Sequence, residues 1–491
     1  MADAGAASPA PEHLDVLIVG AGISGIDAAY HLQKRCPEKR WLILEAREAI
    51  GGTWDLFRYP GIRSDSDMHT LGFPFRPWTG DKAIADGADI RAYVADTARE
   101  FGIDRRIRFG CKAVRASWSS ASARWTVEAE DGARFSCAFL FLCAGYYDYE
   151  RGYRPEWEGE GAYRGPIVHP QSWPGQLDIA GKRIAVIGSG ATAVTLVPAL
   201  AESAAHVTMV QRSPSYIVSR PSRDGLAQGL RRWLPLSVAD RITRWKNVLL
   251  GMFFFSRARK RPAEIRAKIL ELIARDLPGH DIERDFGPSY NPWDQRVCLV
   301  PDGDLFAAIR AGKVSIATGR IAHFDETGLV LESGERIEAD IVVAATGLVV
   351  RLLGGIALEV DGAAVNVADR FNYKGMMLSD VPNLALSFGY TNASWTLKCD
   401  LTSRYVCRLL RHMDRKGWSI SVPRFGHAAP ERSPMLDFSS GYVTRAAASL
   451  PSQGPKAPWR VHQNYLKDLA ILRFGRIDDG AMHFAAPAPD G

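Results

Sequence analysis

No CxxC pair occurs in this 491-residue sequence, and its seven cysteines, at positions 36, 111, 137, 143, 298, 399 and 407, are scattered and odd in number. That pattern excludes a disulfide framework and a clustered zinc site, and it predicts a reducing, cytoplasmic compartment. Long apolar runs are missing too. The longest apolar patch, Val248 to Phe255, is far short of the ~20 residues a bilayer-crossing helix needs. The stretch from Met1 to Glu12 has neither a basic n-region nor an apolar core; it does not read as a signal peptide and is expected to be a flexible terminus. Excess charge is scarce: 61 Lys/Arg against 55 Asp/Glu leave +6, too little over this length to mark a nucleic-acid partner.

What is present is bulk and pattern. A chain this long exceeds what one core supports, and 46% hydrophobic with 24% charged residues is ordinary for a globular enzyme of two or three domains. The stretch from Asp15 to Asp65 is the most informative. Asp15 to Val19 reads as a buried strand, Gly20-Ala21-Gly22-Ile23-Ser24-Gly25 as a turn, and Ser24 to Arg35 as a helix. Leu42 to Leu44 is a second strand, with Glu45 at its end, 25 residues after Gly20. Strand, Gly-rich turn, helix, strand and acid in this order make a dinucleotide-binding unit. Gly20 permits the turn, Gly22 lets backbone approach a pyrophosphate, and Gly25 lets helix pack on strand. The helix start offers N–H groups to phosphates, and Glu45 can accept from ribose hydroxyls. The loop from Gly51 to Asp65, dense in Gly, Pro and aromatics, neither alternates nor repeats and reads as a shaped site loop.

The pattern recurs. Arg183 to Ile187 is a strand, Gly188-Ser189-Gly190-Ala191-Thr192-Ala193 a turn, a helix runs toward Ala201, and His206 to Val210 is a strand. Here Gln211-Arg212 replaces the acid, which removes a repulsive carboxylate and supplies a guanidinium for a 2′-phosphate. The second site is therefore expected to prefer NADP(H). Phe139 to Gly145 and Ile341 to Gly347 look like matching last strands of the two units. The predicted fold class is α/β: two Rossmann-like dinucleotide-binding domains, the second inserted into the first, with a helical insertion. The expected boundaries are 13–150 with 341–491 for the first domain, 175–340 for the second, 226–277 for the insertion, and 151–174 for a Pro-rich linker.

Between these units, Ile90 to Phe101 reads as a helix, and 107–118, 124–129 and 133–137 as a small antiparallel excursion. Thr391-Asn392-Ala393-Ser394 is placed to cap a helix from Trp395 to Met413, and Gln463 to Leu472 is a further helix. From Pro221 to Leu270 twelve Lys/Arg face three Asp/Glu. The patch Asn247 to Phe255 inside it, flanked by Lys246, Arg257, Arg259, Lys260 and Arg261, suits either a membrane-surface contact or a helix buried against its own domain. The buried helix is the preferred reading.

Two dinucleotide sites, one with an acid and one with an Arg, suggest FAD and NADPH, and here the chain resembles the class B flavoprotein monooxygenases, within them the Baeyer–Villiger monooxygenases. Their fingerprint FxGxxxHxxxW, followed by Pro or Asp, is matched by Tyr163, Gly165, His169, Trp173 and Pro174, with Tyr for Phe at the first position. Their motif GGxWxxxx(F/Y)PGxxxD is matched by Gly51, Gly52, Trp54, Tyr59, Pro60, Gly61 and Asp65. Arg58 to Met68, Asn291 to Arg296 and Asn392 to Lys398 resemble the ethionamide-activating subgroup.

The resemblance implies Arg296 as active-site arginine and Asp65 as the carboxylate holding it. Candidate cofactor-binding residues are Gly20, Gly22, Ser24, Gly25, Glu45, Gly52, Thr53, Trp54, Arg63 and Asp65 in the first unit, and Gly188, Ser189, Gly190, Ala191, Thr192, Gln211 and Arg212 in the second. It further implies that NADPH reduces FAD, that O2 adds at flavin C4a, and that the peroxide attacks a small-molecule ketone to give an ester or lactone. A sulfide or thioamide is the alternative substrate, attacked at the heteroatom. A flavoprotein that only transfers electrons is a third reading, but it has no use for Arg296 and Asp65 together. One departure is Gln295, where many members carry a Lys that helps hold the 2′-phosphate.

Overall fold

The computed structural model describes residues 12–425, 431–436 and 438–486; apart from Glu12, the terminus expected to be flexible lies outside them. Strand β1 (Glu12–Val19), helix α1 (Ile23–Arg35) and strand β2 (Trp41–Leu44) follow one another as the residue pattern predicts. Val16, Leu17 and Ile18 are fully buried, because a central parallel strand is covered on both faces and needs no polar alternation. Strands β3 (Ala113–Ser119) and β4 (Arg124–Ala129) are antiparallel and do alternate, one face in and one out. The two expected strands at 133–137 and 139–145 are one continuous β5 (Arg134–Leu142), whose first half pairs with β4 and whose length runs parallel to β1.

The second sheet is built from β6 (Arg183–Ile187), helix α2 (Ala191–Ala201) and β7 (His206–Gln211). Three helices follow: α3 (Gly225–Arg231), α4 (Leu236–Lys260) and α5 (Pro262–Asp276). Strands β8 (Val314–Thr318) and β9 (Ile341–Ala344) complete a parallel order β8-β7-β6-β9, with Ile167–Val168 at its edge. Two boundaries therefore move. Ile341–Ala344 pairs with β6 and belongs to the second unit, not the first. Part of the expected linker is the edge strand beside it.

The chain then returns. Ala357–Val360 runs parallel to β3, and β10 (Leu384–Leu386) pairs with the second half of β5, so both rejoin the nine-stranded first sheet. This is the pairing that makes the second unit an insertion in the first. Helix α6 (Trp395–Lys416) packs along α1, tied by His31 to Asp400 at 2.8 Å and by Ser403 to Asp27 at 2.7 Å. Ser394 stands at its N-cap, yet its hydroxyl bonds Thr70 at 2.6 Å instead of capping the helix. Helix α7 (Gly441–Ala446) and the shorter-than-expected helix Tyr465–Leu469, which continues as a π-turn, precede a last strand, Met482–Ala485, that pairs with Ile420–Pro423.

The insertion departs from the preferred reading. Helix α4 is buried only in part through its apolar patch: Val248 packs inward, while Leu249, Leu250, Phe253 and Phe254 are exposed, and Asp240, Thr243 and Arg244 are buried.

Candidate functional site

A cleft of about 970 Å³ runs between the two Gly-rich turns, at the upper end of small-molecule sites. Each turn sits where its geometry demands it. Gly20 has φ of +104°, and a Cβ there would lie 2.6 Å from the Cys143 carbonyl oxygen at the end of β5. Gly188 repeats this against Ala345 beyond β9. Gly25 lies outside the cleft; its missing Cβ would fall 1.8 Å from the Gly20 carbonyl, so its role is close packing of helix on turn. Helices α1 and α2 both start at a glycine N-cap without a side-chain cap and without an acid in the first turn. Their first N–H groups therefore lack an internal partner and face the cleft that Gly20, Gly22, Ser24, Gly188, Ser189, Gly190, Ala191 and Thr192 line. That donor set fits two pyrophosphates.

Glu45 lines the first end. Its carboxylate accepts from the Ala21 N–H at 2.6 Å and the Arg47 N–H at 2.9 Å, which fixes it while spare lone pairs remain for a ribose; burial pushes its pKa up. Gly52, Thr53 and Trp54 line the same stretch, on a short helical turn, Thr53–Leu56, inside what the residues suggest is pure loop. The organiser of that loop is Asp55, which the sequence reading passes over. Although burial opposes its charge, hydrogen bonds from Arg47 and Arg91 pull its pKa down, and Arg58 also pairs with it. Arg63 lines the cleft while pairing with Asp304.

At the second end Arg212 lines the cleft, but Gln211 does not. Gln211 is buried and donates to the Asp285 carbonyl at 2.8 Å and Thr318 at 2.9 Å, because the last residue of a strand alternates inward when its successor faces out. Arg445 of α7, a residue no sequence signal marks, also lines this end. It stacks on Tyr153 with 3.5 Å to the ring centroid, and burial together with the neighbouring Arg212 charge lowers its pKa. Two like charges thus face one space, an arrangement that suits an anion.

Arg296 and Asp65 meet in the middle, Nε to Oδ2 at 2.9 Å. The Asp65 charge holds the Arg296 pKa above the usual guanidinium range. Tyr146, Tyr147 and Tyr442 lie near enough to feel the Arg296 charge, and burial raises all three phenols, so they stay neutral. Tyr146 stacks on Trp395 at 5.0 Å. These aromatics come from three separate segments, and nothing in their spacing could have joined them.

The fingerprint residues lie apart. Tyr163 donates to the Ala339 carbonyl at 2.9 Å, and His169 contacts the Gly347 carbonyl at 3.3 Å while its Nδ1 accepts from Gln171 N–H. They fasten the crossover before and after β9, Ala339 preceding the strand and Gly347 following it, and burial lowers the His169 pKa.

Comparisons with known proteins agree with this architecture. A profile described as an NAD(P)-binding Rossmann-like domain matches residues 18–80, and one described as flavin-binding monooxygenase-like matches residues 73–354. The FAD-containing monooxygenase EthA of Mycobacterium tuberculosis is 57% identical over 98% of this chain and 99% of its own length. The putative FAD-containing monooxygenase MymA of the same species is 49% identical over 98% and 99%. Among solved structures, the open form of cyclohexanone monooxygenase superposes with a TM-score of 0.78 at 19% identity, over 97% of this chain and all of that one.

Proposed function

This chain belongs to the flavin-binding monooxygenase-like family, and from that premise we propose that it is an FAD- and NADPH-dependent enzyme inserting one atom of O2 beside a ketone carbonyl to give an ester or lactone. The observation that carries the reading is the Arg296–Asp65 pair, 2.9 Å apart in the cleft that both dinucleotide turns share. Bound FAD, reduced by NADPH, supplies activated oxygen; the rest falls to this chain's side chains.

The Gly20–Ser24 turn, Glu45 and Gly52–Trp54 would hold FAD, and the Gly188–Thr192 turn NADPH, with Arg212 and Arg445 on its 2′-phosphate. Arg445 then stands in for the cation missing at Gln295. Arg296 is a fixed cation at any working pH. It stabilises negative charge on oxygen as that charge develops, and does so without reorganising because Asp65 already orients it. The neutral tyrosines donate without competing for that charge, and the stacked Tyr146 and Trp395 exclude water.

The test supplies the holoenzyme with NADPH, isotopically labelled O2 and a series of ketones. Label in an ester or lactone supports the reading; NADPH consumption that yields H2O2 from every ketone refutes it. A sulfide run in parallel reads out the heteroatom alternative.

A further inference from the structure

Helix α4 exposes a larger apolar stripe than an ordinary surface helix and buries several of its polar groups. Steps of three or four residues place Val238, Ile242, Trp245, Leu249 and Phe253 on one stripe, and all five are exposed, Leu249 by 50% and Phe253 by 56%. Phe254 widens the face, and Trp233, between α3 and α4, is 87% exposed. The polar groups point the other way. Asp240 bonds the His69 ring at 2.8 Å, Arg244 donates to the His69 and Gly72 carbonyls at 2.8 Å, and Asn247 donates to Asp67 at 2.9 Å. Contiguous apolar exposure of this kind marks an interaction surface.

The surrounding charge selects the partner. The sole acid of α4 is Asp240, which is buried. Lys246, Arg257 and Arg259 are paired with Asp224, Glu264 and Asp294. Arg232, Arg241 and Lys260, by contrast, are exposed and make no ion pair among the described residues. Arg232 precedes Trp233, Arg241 flanks the stripe, and Lys260 continues it two turns beyond Phe253. Apolar and aromatic side chains framed by free cations, with no exposed acid on the helix, match a surface with an apolar interior and an anionic skin.

We propose that the α3–α4 face docks on an anionic lipid bilayer. Helix α4 lies in the interface plane, with Trp233, Leu249 and Phe253 at the headgroup–acyl boundary and the free cations against lipid phosphates. No helix of the described residues is long and apolar enough to cross a membrane, so α4 rests on the bilayer. Its inner side touches the cleft wall: Val248 packs with Tyr390 and Leu397, and Tyr390 lines the cleft. Helix α4 and its Val248–Tyr390 contact therefore link the docked face to the site wall. The docking does not depend on the reaction assigned above.

The experiment is flotation of the holoenzyme with phosphatidylcholine vesicles, with and without phosphatidylglycerol. The enzyme should float with the anionic vesicles, release as salt rises, and float far less with neutral ones. The pair Leu249→Glu and Phe253→Glu should lower the bound fraction by about tenfold or more, as should the pair Arg241→Glu and Lys260→Glu, with FAD content and bulk NADPH oxidation unchanged in both. Failure to float with either vesicle overturns the proposal. So does flotation that neither pair of substitutions weakens. A concentration-dependent dimer that Leu249→Glu dissolves, without vesicle binding, would make the face a contact between copies and equally overturn it.

Discussion

Trp395 donates its indole N–H to the Ser24 hydroxyl at 2.9 Å across 371 residues of chain. The same ring stacks on Tyr146, so one side chain of α6 fixes both the opening turn of α1 and a tyrosine beside Arg296. Trp395→Phe keeps an aromatic ring, though a smaller one, and removes the donor; the lost hydrogen bond should cost about 1 kcal/mol, read as a lower Tm and faster loss of FAD. Trp395→Ala removes the stack as well and should also lower product formation. FAD retention unchanged in the alanine variant would show that the anchor does not act on the cofactor site.

Arg296→Ala tests the charge at the centre of the cleft. A unit charge about 4 Å from a developing negative charge is worth roughly 4 kcal/mol at an effective dielectric near 20, about three decades of rate. The Arg296 side chain is 32% exposed to the cleft, and screening reduces the effect; a loss of about 100-fold in product formation is expected. FAD reduction by NADPH should persist. Arg296→Lys should restore part of the rate, since an ammonium keeps the charge but not the planar fork. Normal product from the alanine variant would remove Arg296 from the mechanism.

Arg212→Ala and Arg445→Ala should each raise the KM for NADPH about 10- to 100-fold, as a hydrogen bond to a charged group is worth roughly 1.5–3 kcal/mol. The KM for NADH should barely change. Equal effects on both nucleotides would mean that neither guanidinium reads the 2′-phosphate.

Lys398 and Asp468 form a pair at 2.8 Å, each side chain 4% exposed. Burial pulls the Lys398 pKa down, with Asp468 opposing. Lys398→Met alone leaves a buried carboxylate without its cation and should destabilise by about 3–5 kcal/mol. Adding Asp468→Leu should recover much of that loss. Additive losses in chemical denaturation would contradict the pairing.

Asp27 is fully buried in the α1–α6 seam, and desolvation pushes its pKa up to about 7, with the nearby Asp400 charge adding to it. A carboxyl whose folded pKa is raised favours the folded state in its protonated form. That advantage is present at low pH and is lost as pH rises from the unfolded carboxylate range through about 7. Asp27→Asn should therefore raise Tm at pH 8 relative to the parent, and the difference should shrink toward pH 4. A difference independent of pH would assign the effect to packing.

Much of the fold was legible because it is local. The run Val16–Ile18, the Gly20–Gly25 turn and Glu45 announce a nucleotide unit within a few dozen residues, and Gly188–Arg212 repeats the signal with its charge reversed. The crossover motif was legible as well, but not its job: Tyr163 binds the Ala339 carbonyl outside the cleft, and His169 binds the carbonyl of Gly347, which lines it. Gln211 shows the limit at one position, since its neighbour Arg212 faces the cleft while Gln211 is spent inside on Asp285.

The sequence by itself determined two dinucleotide turns, their order, and a basic apolar insertion, because strand, turn and helix preferences act over neighbours in the chain. Only the tertiary structure decided that Arg445 joins Arg212, that three tyrosines come near Arg296, and that α4 shows much of its apolar side to the outside. Each of these depends on which segments distant in sequence come to lie against each other, and side-chain periodicity records a helix's two faces without saying which one the rest of the protein will cover.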